Sequence, residues 1–161
     1  MSRLLETRWL SLLVRVFLGL IFVYSAWPKI ADPPAFAQMI WNYRILPAFL
    51  VNAPAVVLPW LELFVGLALI SGLLRKGAAL LAGMMLIVFI TALATDLARG
   101  IAIDCGCFSI TAQTKTPAGL VAGMKLDLLR DSGLLLLAFQ ALFSRTVGIK
   151  AGGTRLFHRF R

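Results

Sequence analysis

Four apolar stretches constrain this chain more than any other feature of its sequence. Three of them are close in length to the about 20 helical residues that are needed to cross the hydrocarbon core of a bilayer. They lie at about residues 9–27, 55–74 and 77–95. The fourth, about residues 122–144, carries charges in its first half, and its apolar part at 132–143 is too short to cross alone. We therefore predict an all-α fold, an integral membrane four-helix bundle.

The composition supports a membrane protein and excludes several other classes. Of the 161 residues, 60% are hydrophobic and only 14% are charged, which is more apolar than a soluble domain of this size can bury. Disordered chains, nucleic-acid modules and secreted disulfide scaffolds are thereby excluded. We expect one domain over residues 1–161, with the lipid bilayer as a partner and no nucleic acid.

The positive charges are distributed unequally between the two sides of the predicted bundle. Nine Lys and Arg residues fall on the side of the termini and of the 75–76 turn, against five in the longer loops of the other side. Because cytoplasmic segments carry the excess of Lys and Arg, we expect a multi-pass protein of a bacterial inner membrane with both termini cytoplasmic. Residues 145–161 then form a basic cytoplasmic tail.

The first apolar stretch is expected to be a membrane span rather than a signal peptide. It is longer than the apolar core of a signal peptide, and the small-residue site at 35–37 lies well beyond it. Only Arg15 interrupts the stretch. We expect this side chain to extend along the helix toward the inner interface.

The first outer loop contains the pattern of a short helix. Asp32 followed by Pro33 resembles a helix start, and apolar residues recur behind it at the spacing of one helical face. We predict a short interfacial helix that acts as an apolar lid on the bilayer or on the bundle. The apolar face consists of Phe36, Met39, Ile40 and Tyr43.

Charged residues inside the spans form one candidate site. Glu62 lies about two turns into the second span, and Asp127, Arg130 and Asp131 lie near the outer end of the fourth. A charge at a helix centre costs about 2.5 to 3.5 kcal/mol on insertion scales, so each of these residues requires a partner. We expect a cation beside Glu62, with Arg130 favoured over Lys29. Structural pairing that fixes helix register is favoured over the handling of protons or substrate.

The only two cysteines form the second candidate site. The segment Asp104-Cys105-Gly106-Cys107-Phe108 falls in the outer loop before the fourth span, where an oxidising compartment permits a disulfide. So small a ring requires a tight turn, which Gly106 can supply because glycine reaches positive φ without a steric clash. Strain makes such a disulfide labile and oxidising, so we interpret Cys105 and Cys107 as a redox pair.

Two other interpretations of the cysteines stay open at this point. The thiols can be reduced and packed as small apolar side chains. They can also bind Cu(I) or contribute to a zinc site, but the only histidine is His158 in the tail, so the sequence assigns no metal. Asp104 disfavours the Cys105 thiolate, whereas a nearby Lys115, Lys125 or Arg130 would favour it.

The order of these motifs resembles the MauE branch of the DoxX and MauE family of small four-helix membrane proteins. The likeness covers nearly the whole chain. It includes 15–19 in the first span, Lys29 just after that span, 58–62 and Gly66 in the second span, 104–108, and 129–131. The resemblance implies a role in methylamine utilisation. It also implies a periplasmic thioredoxin-like partner or oxidoreductase. By this resemblance, the membrane protein helps that partner to form disulfides in methylamine dehydrogenase.

The chain departs from the related membrane oxidoreductases that use quinone. Those proteins carry a Cys-x-x-Cys pair beside quinone and a second pair for electron relay, and this chain has neither. Ser109 also stands where the family has glycine after Cys-Gly-Cys-Phe. The sequence therefore specifies no cofactor and leaves quinone open as an electron acceptor.

Our functional prediction is a MauE-like protein that supports thiol-disulfide exchange and the maturation of a periplasmic enzyme. Whether it acts as an oxidoreductase or as an accessory factor stays open. The alternative is a non-catalytic, DoxX-like membrane anchor subunit of an oxidoreductase complex. The redox prediction assigns catalysis to Cys105 and Cys107, the turn to Gly106, and supporting roles to Glu62, Arg130, Asp131, Lys29 and Asp104.

The charge distribution makes a prediction about topology. Reporter fusions at residue 161 and in the Arg75-Lys76 turn should show cytoplasmic activity, and a fusion near Thr114 should show external activity. An external signal from residue 161 would reverse the orientation and place the cysteines in a reducing compartment.

Overall fold

The computed structural model describes residues 2–101 and 117–143, which form α-helices joined by short turns. No β-strand occurs in these two ranges, so the prediction of an all-α fold is confirmed. The helices are α1 (Ser2–Ala31), α2 (Pro33–Asn42), α3 (Asn52–Ser71), α4 (Arg75–Ala98) and α5 (Pro117–Phe143), with a 3-10 turn at Ala48–Leu50 before α3.

Three segments of the described chain are long and apolar enough to cross a membrane. They are Trp9–Ala31 in α1, Ala48–Ser71 at the 3-10 turn and α3, and Arg75–Ala98 in α4. Most of their side chains are not buried within the protein, and the exposed ones include large aromatic and aliphatic groups such as Trp27 and Phe64. Apolar surface on this scale requires lipid rather than water around it. The chain is a multi-pass membrane protein.

Helix α5 is as long as the three apolar helices but differs from them in charge. It begins at Pro117, five residues before the predicted start of the fourth span at about residue 122, and runs for 27 residues. Large apolar side chains such as Leu136 and Phe139 are exposed on its surface. Its first half carries the charged residues Lys125, Asp127, Arg130 and Asp131, which the apolar helices lack at this density.

The four long helices pack around a shared apolar core. α1 contacts α3 and α5, and α4 contacts the same two helices, while α2 lies against α1 and α3. We name the two ends of this bundle the α2 end, where α2 lies, and the turn end, where residues 72–74 join α3 to α4. The core includes Leu18, Phe22, Val65, Leu69, Leu86 and Leu134.

The closest helix contact lies between α1 and α3 and depends on two glycines. A Cβ placed on Gly66 would lie 2.8 Å from the backbone oxygen of Gly19, and one placed on Gly19 would lie 2.7 Å from that of Gly66. Distances this short do not occur for real Cβ atoms, so a side chain at either position would force the helices apart. Small residues allow close helix approach in membranes, where dispersion contacts drive association.

The ends of α3 and α4 differ from the predicted span boundaries. α3 ends at Ser71, before the predicted limit at residue 74, because Gly72 adopts a φ of 78° and its N–H donates to the carbonyl of Ala68 at 3.0 Å. α4 continues beyond the predicted limit at residue 95 and ends at Ala98. It therefore includes Asp96, whereas the predicted third span carries no charge.

The predicted helix in the first loop is confirmed as α2. The carboxylate of Asp32 accepts a hydrogen bond from the backbone N–H of Ala35 at 3.1 Å, and Pro33 occupies the first helical position. Phe36 is buried, whereas Trp41 on the same helix is exposed. α2 thus covers the bundle with its apolar face, as expected of a lid.

The glycine contact predicts a specific loss of stability. Gly66→Ala should destabilise the protein by about 1 to 3 kcal/mol, because the added methyl group meets backbone atoms of α1 that cannot rotate away. Gly133→Ala in α5 is the matched control, since its new Cβ would meet nothing within 4 Å. Thermal unfolding in detergent compares the two variants. Equal midpoints would contradict the close packing of α1 on α3.

Candidate functional site

A buried ion pair between α1 and α3 is the most polar feature of the described interior. The ammonium of Lys29 lies 2.7 Å from Oε1 and 2.8 Å from Oε2 of Glu62. Lys29 is 1% exposed and Glu62 is 2% exposed. Two opposite charges removed from solvent together cost far less than either charge alone, because their attraction offsets much of the lost hydration.

The surroundings of Lys29 satisfy the donors of its ammonium group. In addition to the two carboxylate bonds, Nζ donates to Oγ of Ser25 at 3.0 Å, one helical turn earlier on α1. The rings of Phe36 and Phe89 each have their centroid 5.2 Å from Nζ, within the range of a cation–π contact. α2 and α4 therefore supply aromatic faces to a charge that α1 and α3 hold.

A second charged group on α5 faces the same region. Nε and Nη2 of Arg130 donate to Oδ1 of Asp131 at 3.0 and 2.9 Å, and its Nη1 lies 2.8 Å from Oδ1 of Asp127. Asp131 is 5% exposed, while Arg130 keeps about a third of its side chain accessible. One arginine thus bridges two acids on adjacent turns, which stabilises α5 at this level.

A small cavity connects the ion pair to the charges of α5. Its volume is about 40 Å³, and its polar lining consists of Ser25, Lys29, Glu62, Arg130 and Asp131. Asp131 interacts electrostatically with both members of the pair. The rest of the lining is apolar and comes from Ile21, Phe22, Leu86, Phe89 and Leu134. The arrangement can hold α1, α3 and α5 in register.

The structure changes one expected pairing at this site. The sequence favoured Arg130 as the partner of Glu62, but the structure places Lys29 there. The predicted first span ended at residue 27, which left Lys29 outside it, whereas α1 continues to Ala31 and buries this side chain. The expectation of a cation beside Glu62 is confirmed, and the identity of the cation is corrected.

The sequence argument did not identify Asp96 as a buried acid. Its side chain is fully buried, and within 2–101 and 117–143 neither carboxylate oxygen receives a hydrogen bond. Nη1 of Arg99 lies 4.0 Å from Oδ1, at the outer limit of an ion pair. Asp96 lies near the end of α4 from which residues 102–116 lead to α5. The i,i+3 spacing of Asp96 and Arg99 was the available signal.

The predicted redox segment lies outside the described residues. Asp104, Cys105, Gly106 and Cys107 fall in 102–116, and their assigned roles therefore remain predictions. Within the described ranges, no three metal-ligating side chains cluster. The predicted basic tail at 145–161 also lies outside these ranges.

An apolar groove at the α2 end has the chemistry of a lipid or quinone site. Its volume is about 460 Å³, and its lining comes from α2, α3, α4 and the segments between α2 and α3. The lining is apolar except for Tyr43, Thr91, Thr95 and Arg99. Because acyl chains fill such a groove as readily as a quinone ring does, its shape adds no argument for quinone.

Comparison with known proteins identifies the family. The family model described as methylamine utilisation protein MauE matches residues 7–144, which include the ion pair, the charges of α5 and the Cys-Gly-Cys segment. The chain belongs to the MauE family. The resemblance that the motifs indicate is thereby confirmed. No solved structure matches the chain significantly.

Curated relatives with the name methylamine utilization protein MauE align with much of this member of the MauE family. The protein from Methylorubrum extorquens is 36% identical over 140 residues, covering 86% of this chain and 72% of that protein. Those from Methylophilus methylotrophus and Paracoccus denitrificans are 38% and 40% identical over 98 and 96 residues. The matches cover 60% and 59% of this chain and 52% of each relative, so the chain spans about half the length of these two.

The buried pair predicts strong energetic coupling. Lys29→Met and Glu62→Gln should each destabilise the protein by about 3 to 5 kcal/mol, because each leaves one buried group without its partner. The double variant should lose much less than the sum of the two. Unfolding in detergent measures the cycle, and the exposed Lys125→Met should change stability by less than about 0.5 kcal/mol. Additive losses in the double variant would show that the pair is not coupled.

Proposed function

We propose that this chain is an accessory membrane protein of methylamine utilisation that supports thiol-disulfide exchange on the outer face of the membrane. The family match carries this proposal, because it runs unbroken from residue 7 to 144 and contains the only cysteine pair of the chain. The names of the relatives supply the metabolic context. The cysteine pair supplies the chemistry.

The proposal includes a membrane arrangement. α5 forms a fourth span, the chain is one domain over residues 1–161, and both termini face the cytoplasm of a bacterial inner membrane. In support, α5 exposes large apolar side chains while it turns Asp131 toward the bundle interior. The excess of Lys and Arg near the termini and the 75–76 turn supports this orientation. The Cys-Gly-Cys segment then lies outside, beyond the end of α4.

The proposed exchange forms one disulfide and breaks one. A thiolate of a reduced partner attacks one sulfur of the Cys105–Cys107 disulfide and forms a mixed disulfide. The partner's second thiolate then attacks its own sulfur in that bridge. The partner gains a disulfide, while Cys105 and Cys107 take up two electrons and, with two protons, become thiols. A second dithiol-disulfide protein in its oxidised form restores the pair by the same two steps in reverse.

The described bundle contributes a rigid base for this segment. Residues 102–116 join the end of α4 to the start of α5, and both helices are held at the α2 end. The charges of α5 face the Lys29–Glu62 pair across a shared cavity, which fixes α5 relative to α1 and α3.

The partner in this proposal is a periplasmic thioredoxin-like protein or oxidoreductase, and methylamine dehydrogenase is the enzyme that matures. The competing function is a membrane anchor whose cysteines are dispensable. The two functions differ in a single respect that can be measured, namely the dependence of maturation on the two sulfur atoms.

Removal of the cysteines separates these two functions. Cys105→Ser and Cys107→Ser, singly and together, should abolish maturation of methylamine dehydrogenase while the protein stays folded in the membrane. Ser109→Ala, in the same segment, is the matched control and should retain maturation. In the unaltered chain, mild reduction should expose two additional thiols to labelling, because the sequence holds two cysteines. Full maturation with the double variant would overturn the redox function and favour the anchor.

A further inference from the structure

The turn end of the bundle contains a second charged region, which the proposed function does not use. A cavity of about 420 Å³ lies there between α1, the end of α3 and the start of α4. The described residues that line it include the cations Arg15, Arg75 and Lys76 and no acid. The cavity is about 21 Å along α1 from Lys29, at 1.5 Å per residue, so it is separate from the ion pair.

Arg15 is the buried group in this cavity and lacks partners within the described chain. It is 7% exposed. Among the residues that the structure describes, no acceptor lies within hydrogen-bond range of its Nε or Nη2. Buried N–H groups of a guanidinium are costly to leave unsatisfied. The side chain is thus held in the bundle with its donors directed at an open cavity.

Two features hold Arg15 in place and add to the positive potential. A Cβ at Gly72 would lie 3.1 Å from the two terminal nitrogens of Arg15, so the absence of a side chain there leaves room for the guanidinium. Arg75 interacts electrostatically with Arg15, and the two like charges repel each other.

The first turn of α4 supplies further donors to the same cavity. α4 begins at Arg75, and no side chain caps its N-terminus. Lys76 and Gly77 line the cavity, and the backbone N–H groups in the first turn of an α-helix have no acceptor within that helix. Gly77 has no side chain to cover them, and a Cβ there would meet nothing within 4 Å. A helix N-terminus with flanking cations is a common anion-binding arrangement.

We propose that this cavity binds a phosphate group through Arg15, Lys76 and the first turn of α4. Phosphate has the charge and the number of acceptor oxygens to satisfy several such donors at once, and arginine matches its geometry. The group can come from the headgroup of an anionic phospholipid or from a soluble phosphate compound. In either case its oxygens accept hydrogen bonds from Nε and Nη2 of Arg15, which have no acceptor among the described residues.

The test uses the full chain and two phosphate sources. In maltoside detergent, inorganic phosphate is titrated while thermal unfolding is followed. In nanodiscs, phosphatidylcholine alone is compared with a mixture that contains phosphatidylglycerol. A ligand that binds only the folded protein should raise the unfolding temperature. Stabilisation by free phosphate supports a soluble source, and stabilisation by phosphatidylglycerol alone supports a lipid headgroup.

Variants decide whether the cavity is responsible. Arg15→Met should weaken phosphate or lipid binding about tenfold, since it removes charge-assisted hydrogen bonds. Lys76→Gln, at an exposed position that the fold tolerates, should weaken binding as well and carries the test if Arg15→Met does not fold. Lys125→Gln, an exposed lysine toward the other end, is the matched control and should bind as the unaltered chain does. No stabilisation by either source, or equal binding by Lys76→Gln and Lys125→Gln, would overturn the proposal.

Discussion

The contact between Lys29 and Glu62 is the interaction on which the rest of the structure depends. Either charge alone would be expensive in an apolar bundle, so burial of one requires the other at hydrogen-bond distance. This distance is reached only if α1 and α3 lie close together, and the contact between Gly19 and Gly66 permits that approach. α2 and α4 then cover the ammonium with aromatic rings, and α5 turns its own charges toward the same cavity.

The two ends of the bundle use charge in opposite ways. At the α2 end, acids and bases pair with each other inside the protein, which gives a compensated and rigid site. At the turn end, Arg15 and its two neighbouring cations line an open cavity without an acid among the described lining residues. Residues 102–116, which carry the cysteines, follow α4 at the first end. The second end is suited to an anion from outside the protein.

The sequence was sufficient to predict the fold class, because span length and apolar composition follow from the thickness of a bilayer. It was also sufficient to predict α2, because Asp32 and Pro33 form a local signal for a helix start. It also predicted that Glu62 requires a cation. It could not select Lys29, since that choice depends on how far α1 continues and how closely the helices pack. Burial of Arg15 depends on the absence of a side chain at Gly72, and the approach of these two residues is a tertiary contact without a sequence period.

The direct test of this account is a distance between two labelled atoms. The side-chain carboxyl of glutamate is labelled with 13C, and the ammonium of lysine is labelled with 15N. The chain contains only two glutamates, Glu6 and Glu62, so the variant Glu6→Gln gives a single labelled carboxyl signal. Solid-state NMR of the protein in lipid should then show strong dipolar coupling to one nitrogen, lost in Lys29→Met and retained in Lys125→Met. Absence of coupling, or its persistence in Lys29→Met, would contradict the buried pair and the helix arrangement built around it.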